Sequence, residues 1–317
     1  MRRGGGKRES AEPLGREWQV APKPVRPVLF VNPRSGGGTA GRVGLAERAR
    51  EQGIEVVVVG PDRNLVELVA GAVADGADAL GMAGGDGSMA TVAAAATRHD
   101  IPFVCIPAGT RNHFARDVGA DPRDVLGALD AFADGVERRI DVAEVNGRVF
   151  LNNVSLGIYG DAVRRPGYRD AKLRTILETL DEVLGPGGVA DELRGIDDRG
   201  REHPHPAVVL VSNNPYSFEG PPARGARARL DTGLLGVVVL HTRPKAPHPP
   251  GRVWTTPSLH VLGPASVHAG IDGEAIELRA PMIFRTRPLA LRVRTSARHR
   301  GAAAKTANSA PTRPRDR

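Results

Sequence analysis

Cysteine is almost absent from this chain of 317 residues, in which Cys105 is the single one. One thiol excludes an intramolecular disulfide and a cysteine metal cluster. No apolar run approaches the roughly 20 residues of a membrane-spanning helix, and the first residues lack the apolar core of a signal peptide. The sequence therefore predicts a soluble, cytoplasmic protein that is long enough for two domains and a substantial core.

The formal net charge of +8 is concentrated at the two ends of the chain. Residues 1–26 carry seven Arg or Lys and three Glu, and residues 293–317 carry seven Arg or Lys and one Asp, so the middle carries −2. Both ends are poor in large apolar residues, which predicts disordered basic tails over residues 1–25 and 293–317. Such tails could contact an anionic membrane at its inner surface, although solvated tails without a partner are the simpler interpretation. No nucleic-acid partner is expected.

The most informative stretch is the glycine-rich turn Gly84-Gly85-Asp86-Gly87-Ser88. It follows an apolar run over 77–82 that predicts a short buried strand, and it precedes an alanine-rich helix. Glycines let the backbone approach a phosphate closely, and the free N–H groups of a first helical turn carry partial positive charge. A carboxylate at Asp86 suits Mg²⁺ held beside that phosphate. An Asp-Gly turn in which Asp86 caps its own helix is the plainer alternative.

The first half of the chain alternates strand and helix patterns with short connections. Strands are predicted over 25–32, 54–59, 77–82 and 101–106, with an amphipathic helix ending near Gln52 and another from Leu65 to Asp75 that Asp62 caps. This rhythm is typical of a doubly wound parallel sheet that binds ligands at the carboxyl ends of its strands. We expect a Rossmann-like nucleotide-binding domain over residues 26–139.

Two further loops follow strands at the same predicted edge. The letters of Gly36–Gly41, with Asp62 about 20 residues on, match the dinucleotide fingerprint of dehydrogenases, but Asn32-Pro33-Arg34-Ser35 lengthens the turn that the fingerprint requires. In the other loop, Thr110 and Asn112 could bind nucleotide groups. Alternatively, Thr110 caps a helix and Asn112 forms only local hydrogen bonds.

These motifs, in this order, resemble the diacylglycerol kinase catalytic-domain superfamily, which includes bacterial lipid kinases and sphingosine kinases. More distant kinship extends to NAD kinases and phosphofructokinases. The resemblance implies ATP binding by three groups of residues: Asn32, Pro33, Ser35, Gly36 and Gly37; Gly84, Gly85, Asp86, Gly87 and Ser88; Gly109, Thr110 and Asn112. Ser88 stands where the family usually has Thr, and Arg111 where it often has Gly.

From Arg139 onward the pattern changes to strands, beginning with a hairpin around Asn146-Gly147. Segments 152–161, 212–216 and 229–237 resemble the second domain of the lipid kinases, which implies a β-sandwich substrate domain over 140–292. A helix is predicted over Tyr168–Leu184, whose apolar stripe fits packing against the sheet or the wall of a lipid pocket. The fold class is therefore α/β plus β.

The last chemical motif is Asp272-Gly273-Glu274. In isolation it indicates a hairpin turn, but the resemblance implies that this motif supplies the acid that takes a proton from the lipid hydroxyl. Asp272 and Glu274 are the candidate bases, and on an extended segment they would lie on opposite faces, so that one of them reaches the hydroxyl. We expect an ATP- and Mg²⁺-dependent lipid kinase, with Asp86 as metal ligand and homodimerisation left open. The alternatives are an NAD or sugar-phosphate kinase, or an inactive nucleotide- or lipid-binding relative, for which Arg111 and Thr232 are the warning signs.

Overall fold

The structure is a computed structural model that describes residues 18–157, 193–204, 206, 208–216, 227, 229–240 and 251–299. The helix predicted over Tyr168–Leu184 lies outside the described residues. No helix in the described ranges is long and apolar enough to cross a membrane.

The N-terminal domain is built on four parallel strands in the order β3-β2-β4-β5. Their ranges are Pro27–Val31 (β2), Glu55–Val58 (β3), Ala79–Ala83 (β4) and Phe103–Ile106 (β5), and a two-residue strand, Gln19–Val20 (β1), precedes them. Every residue of β2, β4 and β5 is buried, because elements cover both faces of the sheet. The predicted Rossmann-like domain is confirmed.

Five helices connect these strands, and two of them differ from the sequence prediction. They are Thr39–Arg42 (α1), Leu45–Glu51 (α2), Leu65–Ala74 (α3), Asp86–His99 (α4) and His113–Asp117 (α5). The single helix predicted up to Gln52 is split into α1 and α2 because Gly44 adopts a left-handed φ of 62°. The predicted cap Asp62 was wrong: Asn64, directly before α3, accepts a hydrogen bond from the Val66 N–H over 2.9 Å.

A long antiparallel strand pair joins the two halves of the molecule. It consists of Gly135–Val145 (β6) and Met282–Ser296 (β17), whose pairing is interrupted between Arg287 and Leu291. Beyond the interruption, Val293 and Arg294 pair in parallel with β5. Before it, β17 pairs with a strand of the second domain, Ser258–Leu262 (β14). The larger sheet therefore runs without a break from the nucleotide domain into the second domain.

The second domain is a β-sandwich, as predicted. A six-stranded antiparallel sheet, in the order β13-β12-β11-β8-β15-β16, packs on the extended part of the larger sheet. The remaining strands are Arg148–Phe150 (β7), Asn153–Gly157 (β8), Arg194–Asp197 (β9), Glu202–Pro204 (β10), Val208–Asn213 (β11), Leu235–Leu240 (β12), Gly251–Thr256 (β13), Ser266–Ile271 (β15) and Glu274–Arg279 (β16). Phe150 and Phe284 of the larger sheet share one core with Val211 and Val237 of the smaller sheet. The predicted Asn146-Gly147 hairpin is present, with both residues at positive φ.

The boundaries predicted for the two tails lie too far inward. Residues 293–296 belong to β17, where Arg294 is buried and forms an ion pair with Glu137 over 2.9 Å. At the other end, β1 pairs with β6, and the Trp18 ring lies 4.7 Å from the Arg138 guanidinium. Composition missed both segments because the pairing of β1 with β6 and the burial of Arg294 against Glu137 depend on distant residues, which a count of charges does not reveal.

Candidate active site

The three glycine-containing loops that follow β2, β4 and β5 pack against one another. A Cβ atom on Gly36 would lie 2.5 Å from the carbonyl oxygen of Ala108, and one on Gly109 would lie 2.8 Å from the carbonyl oxygen of Gly84. Real Cβ atoms do not approach backbone oxygens this closely, so both positions require glycine. The loops thus form a floor of closely packed backbone at the carboxyl edge of the parallel sheet, where doubly wound proteins bind nucleotides.

The first loop turns through Ser35–Gly37 as one turn of 3₁₀ helix. The Arg42 guanidinium fixes its shape by donating to the Gly37 carbonyl and, over 2.9 Å, to Thr39 Oγ1. At the start of the loop, Asn32 Oδ1 accepts from the Arg34 N–H over 3.1 Å. The dinucleotide fingerprint does not have its usual geometry here, because Gly41 lies inside the four-residue α1 and does not support a long first helix.

Asp86 is the first residue of α4, after Gly85 as the N-cap. Its Oδ1 accepts a hydrogen bond from the Phe114 N–H over 3.3 Å, so the carboxylate bridges to α5 and does not cap its own helix. Oδ2 has no hydrogen-bond partner in the described part of the chain. Asp86 therefore offers one carboxylate oxygen at the edge of the loop floor, which fits a magnesium ligand better than a structural cap.

In the third loop, the Asn112 side chain is engaged with its own turn. Its Oδ1 accepts from the Gly109 N–H and its Nδ2 donates to the Gly109 carbonyl, each over 2.8 Å. Asn112 is buried and is also the N-cap of α5, whereas Thr110 is exposed in the loop and does not cap the helix. Asn112 thus shapes the loop that the sequence analysis assigned to nucleotide binding.

The Asp-Gly-Glu motif forms the two-residue turn between β15 and β16. Asp272 and Gly273 both have positive φ, 48° and 87°, as a type I′ hairpin requires. The expectation that Asp272 and Glu274 lie on opposite faces assumed an extended segment and was wrong. The turn brings both acids to the wall of one groove, which Gly87 of α4 also lines.

Asp272 is buried and held by backbone donors. Its Oδ1 accepts from the N–H groups of Asn152 (2.7 Å) and Asn153 (3.2 Å), and its Oδ2 accepts from the Leu151 N–H (2.9 Å). A carboxylate has about four acceptor positions, so one remains for a further donor.

The electrostatic environment of Asp272 makes it a stronger base than an ordinary aspartate. The pKa of Asp272 is raised to about 7: burial is the main cause and the Asp86 carboxylate adds to it, while the N–H donors of Leu151 and Asn152 act in the opposite direction. The effect of the Asp86 charge on Asp272 links the glycine-rich loop to the Asp272 turn electrostatically. A pKa near neutrality suits a group that must accept a proton.

Glu274 is exposed and lies against the first turn of α4. A Cβ atom on Gly87 would collide with the Glu274 carboxylate, so the glycine at position 87 makes room for this acid. The N-terminus of a helix also favours a nearby negative charge. The structure therefore brings together Asp86, Asp272 and Glu274, although they lie in different domains.

The contacts that hold the two domains together around these acids are not indicated by any sequence motif. Arg227, which is fully buried, donates to the Asp117 carboxylate of α5, to Asn152 Oδ1 and to the carbonyls of Leu151 and Asn213. Arg227 thus fixes the loop whose N–H groups hold Asp272. Arg227 lies in a segment without strand or helix periodicity, between Arg224 and Arg229, so nothing in the local sequence distinguishes it as a buried residue.

The segment around Asp231 is held in place by hydrogen bonds to Asn214 and Asp141. Asn214 Oδ1 accepts from Thr232 N–H (2.9 Å), and the buried carboxylate of Asp141 accepts from the N–H groups of Gly233 (2.7 Å) and Leu289 (2.9 Å). Within the described ranges, no three His, Cys, Asp or Glu side chains converge as metal ligands.

Comparisons with known proteins agree with this geometry. The diacylglycerol kinase catalytic domain model matches residues 26–145. A lipid kinase of Pseudomonas aeruginosa, described as a probable YegS-like enzyme, is 30% identical over 304 residues, covering 84% of this chain and 93% of its own. A diacylglycerol kinase of Mycobacterium tuberculosis is 37% identical over 120 residues, a segment that spans 39% of its length.

Solved structures show the same fold. A crystal structure described as a diacylglycerol kinase from Bacillus anthracis superposes with a TM-score of 0.67 at 18% identity, covering 86% of this chain and 98% of its own. A second structure of a diacylglycerol kinase from that organism gives a TM-score of 0.62 at 16% identity. The resemblance inferred from the motifs is confirmed: the chain belongs to the diacylglycerol kinase catalytic-domain family of lipid kinases.

Proposed function

We propose that the protein is an ATP-dependent lipid kinase that transfers the γ-phosphoryl group to a lipid hydroxyl. The observation that carries this proposal is the packing of the Asp272-Gly273-Glu274 turn against the first turn of α4, at Gly87, which brings the wall of a largely apolar groove beside the glycine-rich loop that holds Asp86. Phosphoryl transfer needs cradled phosphates, metal charge and an aligned acceptor.

The backbone of the three loops is suited to hold the triphosphate. Backbone N–H groups at the start of α4 and in the Ser35–Gly37 turn face the edge where the glycines allow close approach. Asp86 Oδ2 would hold Mg²⁺, which supplies positive charge to the transferring phosphoryl group when it is bound. Asn112 keeps the third loop in the shape that completes this floor.

Asp272 is the proposed general base. It accepts the proton of the lipid hydroxyl while the hydroxyl oxygen bonds to phosphorus and the bond from phosphorus to the ADP oxygen breaks. The three backbone donors fix the orientation of the Asp272 carboxylate, so that its remaining lone pair has one direction in which to accept the proton. Glu274 is the second candidate for this role.

The direct test measures transfer of radiolabel from [γ-³²P]ATP to an acceptor panel. We expect label in diacylglycerol or another hydroxyl-bearing lipid and none in NAD or fructose 6-phosphate. Label in NAD or the sugar phosphate would favour the rival small-molecule kinases. Tight ATP binding by calorimetry without transfer to any acceptor would identify an inactive nucleotide-binding relative.

A further inference from the structure

A groove lies between helices α3 and α4 on one side and the turns at 147–149 and 271–274 on the other. It has a volume of about 370 Å³. It follows α4 from Gly87, beside the two acids, to Arg98 and His99 at the other end of that helix. From Gly87 to Arg98 the helix rises by about 16 Å, which is enough for a large part of an extended acyl chain.

The middle of the groove is apolar. Val69, Ala70 and Val73 of α3 face Ala90 and Ala94 of α4 across it. Thr91 also lines the groove, and its hydroxyl donates to the Gly87 carbonyl of its own helix over 3.4 Å. The five apolar side chains offer no hydrogen bond to a sugar or nicotinamide hydroxyl, so a polar acceptor would lose most of its solvation there without compensation. A hydrocarbon chain gains free energy from the same walls.

The two ends of the groove carry opposite charges. Asp272 and Glu274 lie at the inner end, while Arg98, His99 and Arg148 line the other. Arg98 and Arg148 are exposed and form no ion pair with any residue of the described ranges. Exposed cations at the mouth of a groove attract a surface of anionic lipid phosphates.

We propose, on the basis of the proposed function, that this groove receives the acyl chain of the acceptor lipid from an anionic bilayer. The lipid enters with its hydroxyl first and reaches Asp272, its chain lies between α3 and α4, and Arg98 and Arg148 contact the bilayer at the mouth. The groove thus selects acceptors that carry a long hydrocarbon chain.

Two substitutions on the exposed face of α3 test the chain site. Ala70 lines the groove, whereas Ala74, one turn further, is exposed outside it. Ala70→Phe should raise KM for dioleoylglycerol in mixed micelles about tenfold or more, and leave KM for ATP and for water-soluble dihexanoylglycerol within about twofold. Ala74→Phe should change none of them. Equal effects of Ala70→Phe on both acceptors, or of the two variants on dioleoylglycerol, would overturn the proposal.

Binding of cis-parinaric acid, a fluorescent fatty acid, tests the same site without turnover. The wild-type protein should enhance its fluorescence, Ala74→Phe should keep that enhancement, and Ala70→Phe should weaken the affinity about tenfold. If the wild-type protein transfers no phosphate to lipid but this pattern holds, the proposed function fails and the chain site stands. If the wild-type protein transfers phosphate to lipid but the two variants bind the probe alike, the chain site is rejected and the proposed function stands.

The mouth is tested with full-length protein and sedimented vesicles. Binding to vesicles of equal parts phosphatidylglycerol and phosphatidylcholine should fall about tenfold or more in the double variant Arg98→Glu with Arg148→Glu. The double variant Arg50→Glu with Arg123→Glu, which reverses two exposed arginines outside the groove, is the matched control. Equal losses in the two pairs would show that only net charge matters, and would overturn the assignment of the mouth.

Discussion

Arg227 and Asp117 join the two domains through an ion pair, in which the Arg227 Nε donates to Asp117 Oδ2 over 2.8 Å. The arginine side chain is 0% exposed and the aspartate side chain 11% exposed. Water therefore reaches this pair far less than it reaches a surface ion pair. The same guanidinium also donates to the Leu151 carbonyl and so reaches the loop that holds Asp272.

Loss of this arginine should destabilise the protein strongly. Arg227→Met leaves Asp117, Asn152 Oδ1 and two carbonyls without their donor, and we expect the free energy of unfolding to fall by about 3–5 kcal/mol. Urea denaturation provides the measurement. Arg229→Met, which removes an arginine paired with Asp231 at an exposed site, should change little. Comparable losses in the two variants would contradict the role assigned to Arg227.

Asp86→Asn should abolish turnover while the protein stays folded. The amide cannot match the affinity of a carboxylate for Mg²⁺, and its oxygen can still accept from the Phe114 N–H, so the contact with α5 is retained. We expect kcat to fall by at least about 10³-fold, with an unchanged melting temperature. Asp78→Asn, at an aspartate that accepts from the Val25 and Arg26 N–H groups outside the site, is the control. Wild-type kcat for Asp86→Asn at saturating Mg·ATP would refute the assignment.

The two candidate bases should be separable by turnover at constant nucleotide affinity. Asp272→Ala is expected to lower kcat by about 10²–10⁴-fold, and Glu274→Ala by less, because Asp272 is the one held in place by three donors. Both variants should bind ATP as the wild type does in calorimetry, since the loops that cradle phosphate are in the other domain. Near-normal kcat in both would mean that the turn has no part in catalysis.

Activity should depend on pH through Asp272. Because burial raises its pKa to about 7, the base is protonated and inactive at lower pH, and kcat/KM should fall about tenfold per pH unit below that value. The Asp86 carboxylate contributes to the raised pKa, so the residual activity of Asp86→Asn should show its acid limb at lower pH. An activity that is flat between pH 5 and 8 would exclude Asp272 as the base.

The basic ends of the chain can be deleted without removing any strand, if the deletions stop short of β1 and β17. Deleting residues 1–24 would remove β1 and the Pro22 carbonyl that accepts from Arg294. Deleting residues 1–17 and 300–317 instead keeps every described residue and its contacts. We expect this trimmed protein to keep its kcat on detergent-dispersed substrate and to bind anionic vesicles more weakly, at about 1 kcal/mol per lost basic residue near the surface. Vesicle binding equal to that of the full chain would show that the tails have no membrane role.

Local sequence signals were enough for the nucleotide side of the site. The turns at Gly36, Gly85 and Gly109 follow buried apolar strands, and parallel strands place their carboxyl ends at one edge, so their proximity could be predicted. The backbone donors that hold the Asp272 carboxylate and the contacts of Arg227 come from residues about 75 to 121 positions away, and no local pattern encodes such pairings. The loop-shaping role of Asn112 was left open by the sequence for the same reason, because a side-chain amide can bind a ligand or its own backbone equally well.

The parallel pairing of β17 with β5 determines which fragments of the chain can fold alone and when the nucleotide domain can fold during translation. Residues 26–145, the part that matches the catalytic-domain model, contain β5 but not β17. In a fragment with those limits, β5, which is fully buried in the whole chain, becomes an edge strand that can pair with other chains. Such a fragment should aggregate when it is expressed alone. On the ribosome, the nucleotide domain cannot complete its sheet until the whole second domain has been translated, so the two domains of this kinase mature together.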